Sequence, residues 1–474
     1  MKKTFLIIWF LGFFQMLSAS AEPRVVPEYQ KLQTKEGFDV YYFKGHLPLF
    51  RVLISLDQGA QNDAPGASGA LSLAMASLLR GSKNFSESQI ESYMDELAGG
   101  ISDSISREET TFTINGLNRN VEKILDASFD LLSAPSFNEA TFQRLLRTRL
   151  QGIEQLKESA PAIGDYILDQ LILMGTPWER PLFGYASDLE KMKASYAKFT
   201  YELFLREAKP KLLVIGGQRP EEVLNPFLER FEKWRAGIKA RKKINVSPKL
   251  TGGADHKPGV LEGIDSHTVV VIDRPGISDC HLSMGFVGPG MNTPDFFELE
   301  VAENILSGPF SSRFNQRVRE EMGLSYSIAG VFEYAKSRGT YQVTSAGRTE
   351  NAGPLVKEIR RVLNSFVYDH QVTDEELGKI KTYMKGSFDL FLQDRYNIAQ
   401  MFFVTLLNGL PGDFLDVYKK RLDAVTPATL RAAVQRNFNL EGLRIVVVGD
   451  GKKIEASLKQ AELKSVRKSL SDFL

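Results

Sequence analysis

The sequence predicts an α+β protein of two homologous domains, each a mainly antiparallel sheet packed with helices. Three observations carry that expectation. One order of strand-like and helix-like segments occurs twice along the chain, at a spacing of roughly 235 residues. Each copy ends on a similarly worded apolar strand, Lys211–Gly217 in the first and Leu443–Asp450 in the second. A chain of 474 residues with 43% apolar and 25% charged side chains has globular composition and the length for two large domains.

The elements follow in chain order. Lys2 and Lys3, the apolar run Phe5–Leu17 and the small residues Ala19, Ser20 and Ala21 read as a signal peptide over residues 1–21. The apolar run, of about 13 residues, is short for a membrane span, so an anchor is the weaker reading. With no cysteine after the cleavage site, a lipoprotein is not expected, and the mature protein is expected to be periplasmic or secreted. Leu53–Asp57 and His281–Val287 are strand runs, and each leads through a loop into an apolar helix, Gly69–Leu79 and Phe296–Leu306. Thr110–Asn115 and Gly339–Thr344 are strands, each followed by an amphipathic helix near Asn120–Leu132 and Pro354–Tyr368. Further helices open at Phe137–Phe142 and Val372–Leu377, where Thr373 and Glu376 form a capping box. The N-terminal domain is expected over 22–236, a Lys-, Gly-, Pro- and Asp-rich linker over 237–263, and the C-terminal domain over 264–474.

Charge and cysteine use exclude several function classes. With 59 basic and 58 acidic residues, no electrostatic footprint for nucleic acid or an acidic membrane exists. The short basic run Lys239–Lys243 falls in the expected linker. Cys280 is the only cysteine, so no intramolecular disulfide forms. Cys280 and His281 are neighbours in a strand and point to opposite faces, which makes a structural thiol the better reading than a nucleophile–base pair. Gly285, Gly288 and Gly290 do not have phosphate-loop spacing, and Gly66 to Gly69 is one residue short of a nucleophile elbow. The five histidines, His46, His256, His267, His281 and His370, show no metal-ligand spacing.

Three segments carry a family resemblance: the helix and loop Gly69–Glu87, the stretch Pro135–Phe142, and Arg319–Tyr326. Together they resemble the pitrilysin/insulinase zinc metallopeptidases, whose fold is of the LuxS/mitochondrial-processing-peptidase-like metallopeptidase type. The resemblance covers nearly all of the mature chain. In such a peptidase an inverted H-x-x-E-H helix supplies two zinc ligands and a general base, and a later glutamate supplies the third ligand. The matching positions are Ser72, Met75, Ala76 and Gly152, so the zinc site is degenerate at every place. Nearby Glu154 cannot replace a ligand set. Autonomous hydrolysis is therefore not expected, and this chain is expected to hold no cofactor, with zinc in a partner subunit.

The segment Ser311–Ser327 resembles the family's arginine–tyrosine substrate motif, with Arg319 and Tyr326 at matching spacing. Phe314–Met322 reads as a helix ended by left-handed Gly323, placing Arg319 and Tyr326 close enough to act together. The resemblance implies that they hydrogen-bond a peptide backbone. Local pattern alone gives the alternative of an exposed arginine paired with Glu320 or Glu321 and a packed tyrosine. The loop Ser307–Ser312 stands where some non-catalytic members carry a longer glycine-rich substrate loop. The expected function is thus a non-catalytic, substrate-binding subunit of a heterodimeric periplasmic zinc peptidase, partnered by a homologous H-x-x-E-H chain and acting on peptides. The alternative is a peptide-binding or structural scaffold of the same fold with no proteolytic partner.

Overall fold

The computed structural model describes residues 24–240, 264–369 and 372–473. The expected signal peptide, most of the expected linker, His256 and His370 lie outside the described residues. At the start of the expected linker, the helix Leu224–Ala240 runs on past Gly237 with Ile238 buried.

Two six-stranded sheets organise the chain, and the class is α+β. The first contains β1 (Tyr29–Gln33), β2 (Asp39–Phe43), β3 (Leu49–Leu56), β4 (Gly100–Ile105), β5 (Thr110–Leu117) and β6 (Pro210–Ile215). Its spatial order is β1-β2-β6-β3-β5-β4. The second contains β7 (Thr268–Asp273), β8 (Asp279–Pro289), β9 (Ser327–Tyr334), β10 (Arg338–Arg348), β11 (Arg444–Gly449) and β12 (Lys464–Lys468), ordered β12-β7-β11-β8-β10-β9. Five strands correspond between the sheets in position and direction. β2 runs parallel to β6 as β7 does to β11, and the remaining matched neighbours are antiparallel. The sixth strand breaks the symmetry. β1 pairs antiparallel to β2, whereas β12 comes from the end of the chain and runs parallel to β7.

The central strands are apolar at successive residues because both faces of each sheet are covered. In β6, Leu212 and Val214 enter the core of the first half, while Leu213 and Ile215 enter a second cluster on the opposite face. In β11, Ile445 and Val447 face one core, and Val446 and Val448 face another. One face is packed by helices of the same half, Ala70–Leu78 and Val121–Ser133 on the first sheet, Phe296–Ser307 and Ala352–Asn364 on the second.

The other face is packed by a helix from the opposite half. The helix Ala160–Leu173 lies on the second sheet, with Ile163, Ile167 and Leu171 against Val270, Val446 and Val448. Gly164 permits the approach, since a Cβ there would stand 2.8 Å from Ser283 Oγ. Ser283 donates to Asp165 at 2.7 Å, and Gln170 donates to the Phe473 carbonyl at 2.9 Å. Reciprocally, the helix Arg395–Leu407 lies on the first sheet, where Phe402 and Phe403 meet Tyr41 and Phe43. Burial of each phenylalanine contributes about 2–3 kcal/mol. Tyr396 donates to the Leu49 carbonyl at 3.0 Å, and Arg51 donates to Gln400 at 3.0 Å. Each sheet is therefore completed by the other half of the chain.

Candidate functional site

The helix Ala70–Leu78 starts at a tightly specified junction. Gly69 takes a left-handed conformation, φ 82°, and a Cβ there would stand 2.5 Å from the Phe183 carbonyl oxygen. The Asp63 carboxylate accepts from the Gly69 and Leu71 amides at 2.7 and 2.9 Å, capping the helix start. Burial pushes the Asp63 carboxyl up to about 7, against these amide bonds and the nearby Arg180. Asp188 holds the preceding residue, accepting from the Ser68 amide at 3.1 Å and the Ser68 hydroxyl at 2.7 Å.

The degenerate positions can now be placed. Ser72 is buried, Met75 is wholly within the first core, Ala76 is half-buried, and Gly152 is exposed on the helix Glu139–Leu156. Nothing lies within 4 Å of where a Gly152 Cβ would stand. Glu154 is exposed and pairs with Lys157 at 2.7 Å. Between these positions reaches Arg149, which the sequence reading did not single out. Its Nη1 donates to Ser72 Oγ at 3.0 Å, and its guanidinium stands 4.5 Å from the Phe183 ring centroid. Burial lowers the Arg149 pKa, and Asp103 on β4 partly offsets this. Burial raises the Asp103 carboxyl in turn, with Arg80 and Arg149 opposing.

This donor set does not fit zinc. A neutral hydroxyl already accepting from a cation, a thioether in the core, a methyl and a glycine supply neither ligands nor a base. Among the described residues, no group of three His, Cys, Asp or Glu side chains has metal-binding geometry. His46 packs against Tyr396, His267 meets Arg360 at 3.1 Å, and His281 stands 3.6 Å from Asp165. Cys280 faces the second core, and burial pushes its thiol up to about 12. Its neighbour His281 points to the opposite face, toward Gly164, so the two do not form a nucleophile–base pair. Gly285 and Gly288 lie within β8, where a Cβ on Gly285 would stand 2.5 Å from the Tyr341 carbonyl oxygen.

The arginine–tyrosine segment departs from expectation in detail. The helical turn Asn315–Glu321 is a π-helix, with Met322 N donating to the Arg317 carbonyl at 3.2 Å, and Gly323 adopts φ 60°. The strand then begins at Ser327. Arg319 is exposed, lies 3.6 Å from Glu320 and stands 5.3 Å from the centroid of the exposed Phe310 ring. Tyr326 is 56% exposed, and its hydroxyl accepts from Arg348 Nε at 3.3 Å. No hydrogen bond joins Arg319 to Tyr326, and each engages its own neighbour. The arginine therefore matches the local alternative, while the tyrosine is exposed rather than packed. Glu320 and Arg348 supply the contacts that each side chain makes instead. The short loop Ser307–Ser312 is tied down by the Ser307 hydroxyl donating to the Gly330 carbonyl.

Comparison with known proteins now bears on the geometry. The family model "Insulinase (Peptidase family M16)" matches residues 50–185, and the model "Peptidase M16 inactive domain" matches residues 198–384. The chain belongs to the M16, or insulinase, peptidase family. Within it, this chain lacks the H-x-x-E-H motif. It is 22% identical over 335 residues to an uncharacterized zinc protease YmxG of Bacillus subtilis, covering 71% of this chain and 77% of that protein. It is 20% identical over 462 residues to a protein named non-peptidase homolog YmxG of Helicobacter pylori, covering 95% and 99%. Its fold is shared with the crystal structure of a peptidase M16 inactive domain from Pseudomonas fluorescens, at TM-score 0.74 and 18% identity, covering 89% of this chain and 98% of that one. A Helicobacter pylori protease structure is equally similar at TM-score 0.74 and 16% identity, covering 90% and 100%.

Proposed function

We infer that this M16 member is a non-catalytic, peptide-binding subunit of a two-chain zinc peptidase, acting outside the cytoplasm beside a homologous chain that carries H-x-x-E-H. The observation that carries this reading is the guanidinium of Arg149 bonded to Ser72, in the place where the family's catalytic machinery would stand. The exposed outer strands β4 and β9 offer backbone edges on which an extended peptide can add as a further strand. Arg319 and Tyr326 are the side chains assigned to hold that peptide in the complex. The signal-like residues 1–21 support export to the periplasm or beyond. Among the described residues, no helix is long and apolar enough to cross a membrane.

The test is reconstitution. The purified chain alone is expected to cleave no peptide, and the mixture with an H-x-x-E-H homologue is expected to cleave. Arg319→Ala is expected to lower turnover of the mixture roughly tenfold through loss of a carbonyl or oxyanion donor. Unaided proteolysis by this chain, abolished by chelator, would overturn the assignment. The separate engagement of Arg319 and Tyr326 favours a second reading, a peptide-binding scaffold without a proteolytic partner. A homodimer that binds peptides, with no hydrolysis in any mixture, would select it.

A further inference from the structure

Arg149 is a cation in search of an anion. Two other arginines near this helix pair have carboxylate partners: Arg80 meets Glu87 at 3.5 Å and Glu91 at 3.3 Å, and Arg144 meets Glu87 at 2.6 Å. Arg149 has no carboxylate within 4 Å among the described residues, and its one hydrogen-bond acceptor there is the neutral Ser72 hydroxyl. A guanidinium carries five N–H donors and cannot shed its charge, so a half-buried one with a single neutral acceptor is stabilised by any anion that reaches it. Asp103 is near enough to act through space, but its own burial disfavours its charged form.

The surroundings leave room for such a ligand. Phe183, 51% exposed, backs one face of the guanidinium. Gly152, three residues further along the same helix, is on the same side and opens onto empty space. Ala76 presents only a methyl group. The free edge of a planar guanidinium matches an oxyanion such as a carboxylate in bidentate geometry, and the carboxylate is the anion that every peptide carries at its end. Asp103 lies on β4, the outer strand of the sheet, and its charge acts on Arg149, so a chain added along that edge passes near the guanidinium.

We propose that Arg149, with Ser72 and Phe183, forms a receptor for the C-terminal carboxylate of a bound peptide, a fixed organic cation standing where a catalytic relative would hold its metal. The proposal rests on the peptide-binding reading above and adds the end of the peptide that is held.

The test uses the full chain and N-terminally labelled, unstructured twelve-residue peptides in fluorescence anisotropy. Three forms are compared: free C-terminal acid, C-terminal amide, and amide with one internal glutamate. The free acid is expected to bind roughly tenfold tighter than either amide. Arg149→Gln is expected to bring the free acid down to the amide level and to leave amide binding unchanged. Arg149→Lys, which keeps the charge without the fork, is expected to lose most of the preference and serves if the glutamine variant does not fold. Equal binding of acid and amide by the native chain, or a preference that survives Arg149→Gln, overturns the proposal. Rescue by the internal glutamate reassigns the site to acidic side chains and overturns the terminal assignment. Stronger competition by inorganic phosphate than by acetate overturns the carboxylate chemistry. No binding of any peptide form removes the peptide-binding reading itself, and the receptor with it.

Discussion

The second half buries two carboxyl groups whose ionisation can be read out as stability. Glu300 and Glu303 stand one turn apart on the helix Phe296–Ser307, facing Tyr334 and the aromatic cluster around Phe296 and Phe414. Burial pushes Glu300 up to about 8, with Glu303 adding repulsion, and burial pushes Glu303 up to about 7 despite its bond from the Phe332 amide at 2.6 Å. Both folded values lie above the ordinary 4.5. Above pH 4.5 the unfolded chain releases protons that the folded chain still holds. The contribution is therefore fully present below that pH and is lost as pH rises through 7 and 8. Each such group removes about 1.4 kcal/mol per pH unit within its window. Glu300→Gln stays neutral in both states and escapes its share. Between pH 5 and pH 7 the variant is expected to gain on the native chain by about 3 kcal/mol. Thermal or urea unfolding of both proteins across pH 5 to 8.5 measures it. The two stability profiles should diverge steadily and level off near pH 8. Parallel profiles would show that Glu300 is solvated in the folded chain, and would refute the reasoning.

Other outcomes follow from the same contacts. Rebuilding the metal positions with Ser72→His, Met75→Glu, Ala76→His and Gly152→Glu is expected to give little bound zinc while Arg149 remains, and near-stoichiometric zinc once Arg149→Leu is added, measured by elemental analysis after dialysis. Phe403→Ala is expected to cost about 3–5 kcal/mol and to leave a single unfolding transition, because each sheet depends on a helix from the other half. Two resolved calorimetric transitions would contradict that. Cys280 is expected to ignore Ellman's reagent at pH 8 in the native chain and to react fully in guanidinium chloride.

The duplicated plan was legible because it is written in local patterns. The paired strand and helix segments read from the sequence correspond to β3 and β8, β5 and β10, β6 and β11, and to their intervening helices. The exchange of helices between the halves was not legible. Continuous apolar runs such as Leu212–Ile215 announce that both faces are covered, but not which helix covers them. The capping box shows the same limit at one residue. Thr373 accepts from the Glu376 amide at 3.1 Å as the local pattern requires. The Glu376 carboxylate does not reach back, because Arg313 holds it at 2.8 and 2.7 Å from a distant part of the chain. Arg149 escaped notice for a related reason. The motif drew attention to Gly152, and the guanidinium that matters lies one helical turn earlier on the same face. A basic residue three positions before an emptied ligand is the signal that could have found it.

The helix Ala70–Leu78 carries no zinc ligands, yet its entry and packing are tightly held. The reason is that the groups that position the helix are separate from the positions where the family's catalytic residues stand. Asp63, Ser68, Gly69, Asp188 and Gly184 hold its start through amide hydrogen bonds and backbone contacts that need no metal. Leu71, Leu73, Ala74, Met75 and Leu78 bury its core face. On such a frame, small or apolar residues at the ligand positions leave packing intact. What they would leave behind is a polar niche between two helices with no charge to organise it. Arg149 fills that niche with a positive charge and hydrogen-bonds the one hydroxyl remaining there. A site whose purpose was only structural would be more stable with apolar side chains at both places, because a half-buried guanidinium costs desolvation that one neutral hydrogen bond does not offset. Arg149→Leu with Ser72→Ala is therefore expected to raise the melting temperature while removing the preference for free-acid peptides. A fall in melting temperature would instead make the pair a structural contact.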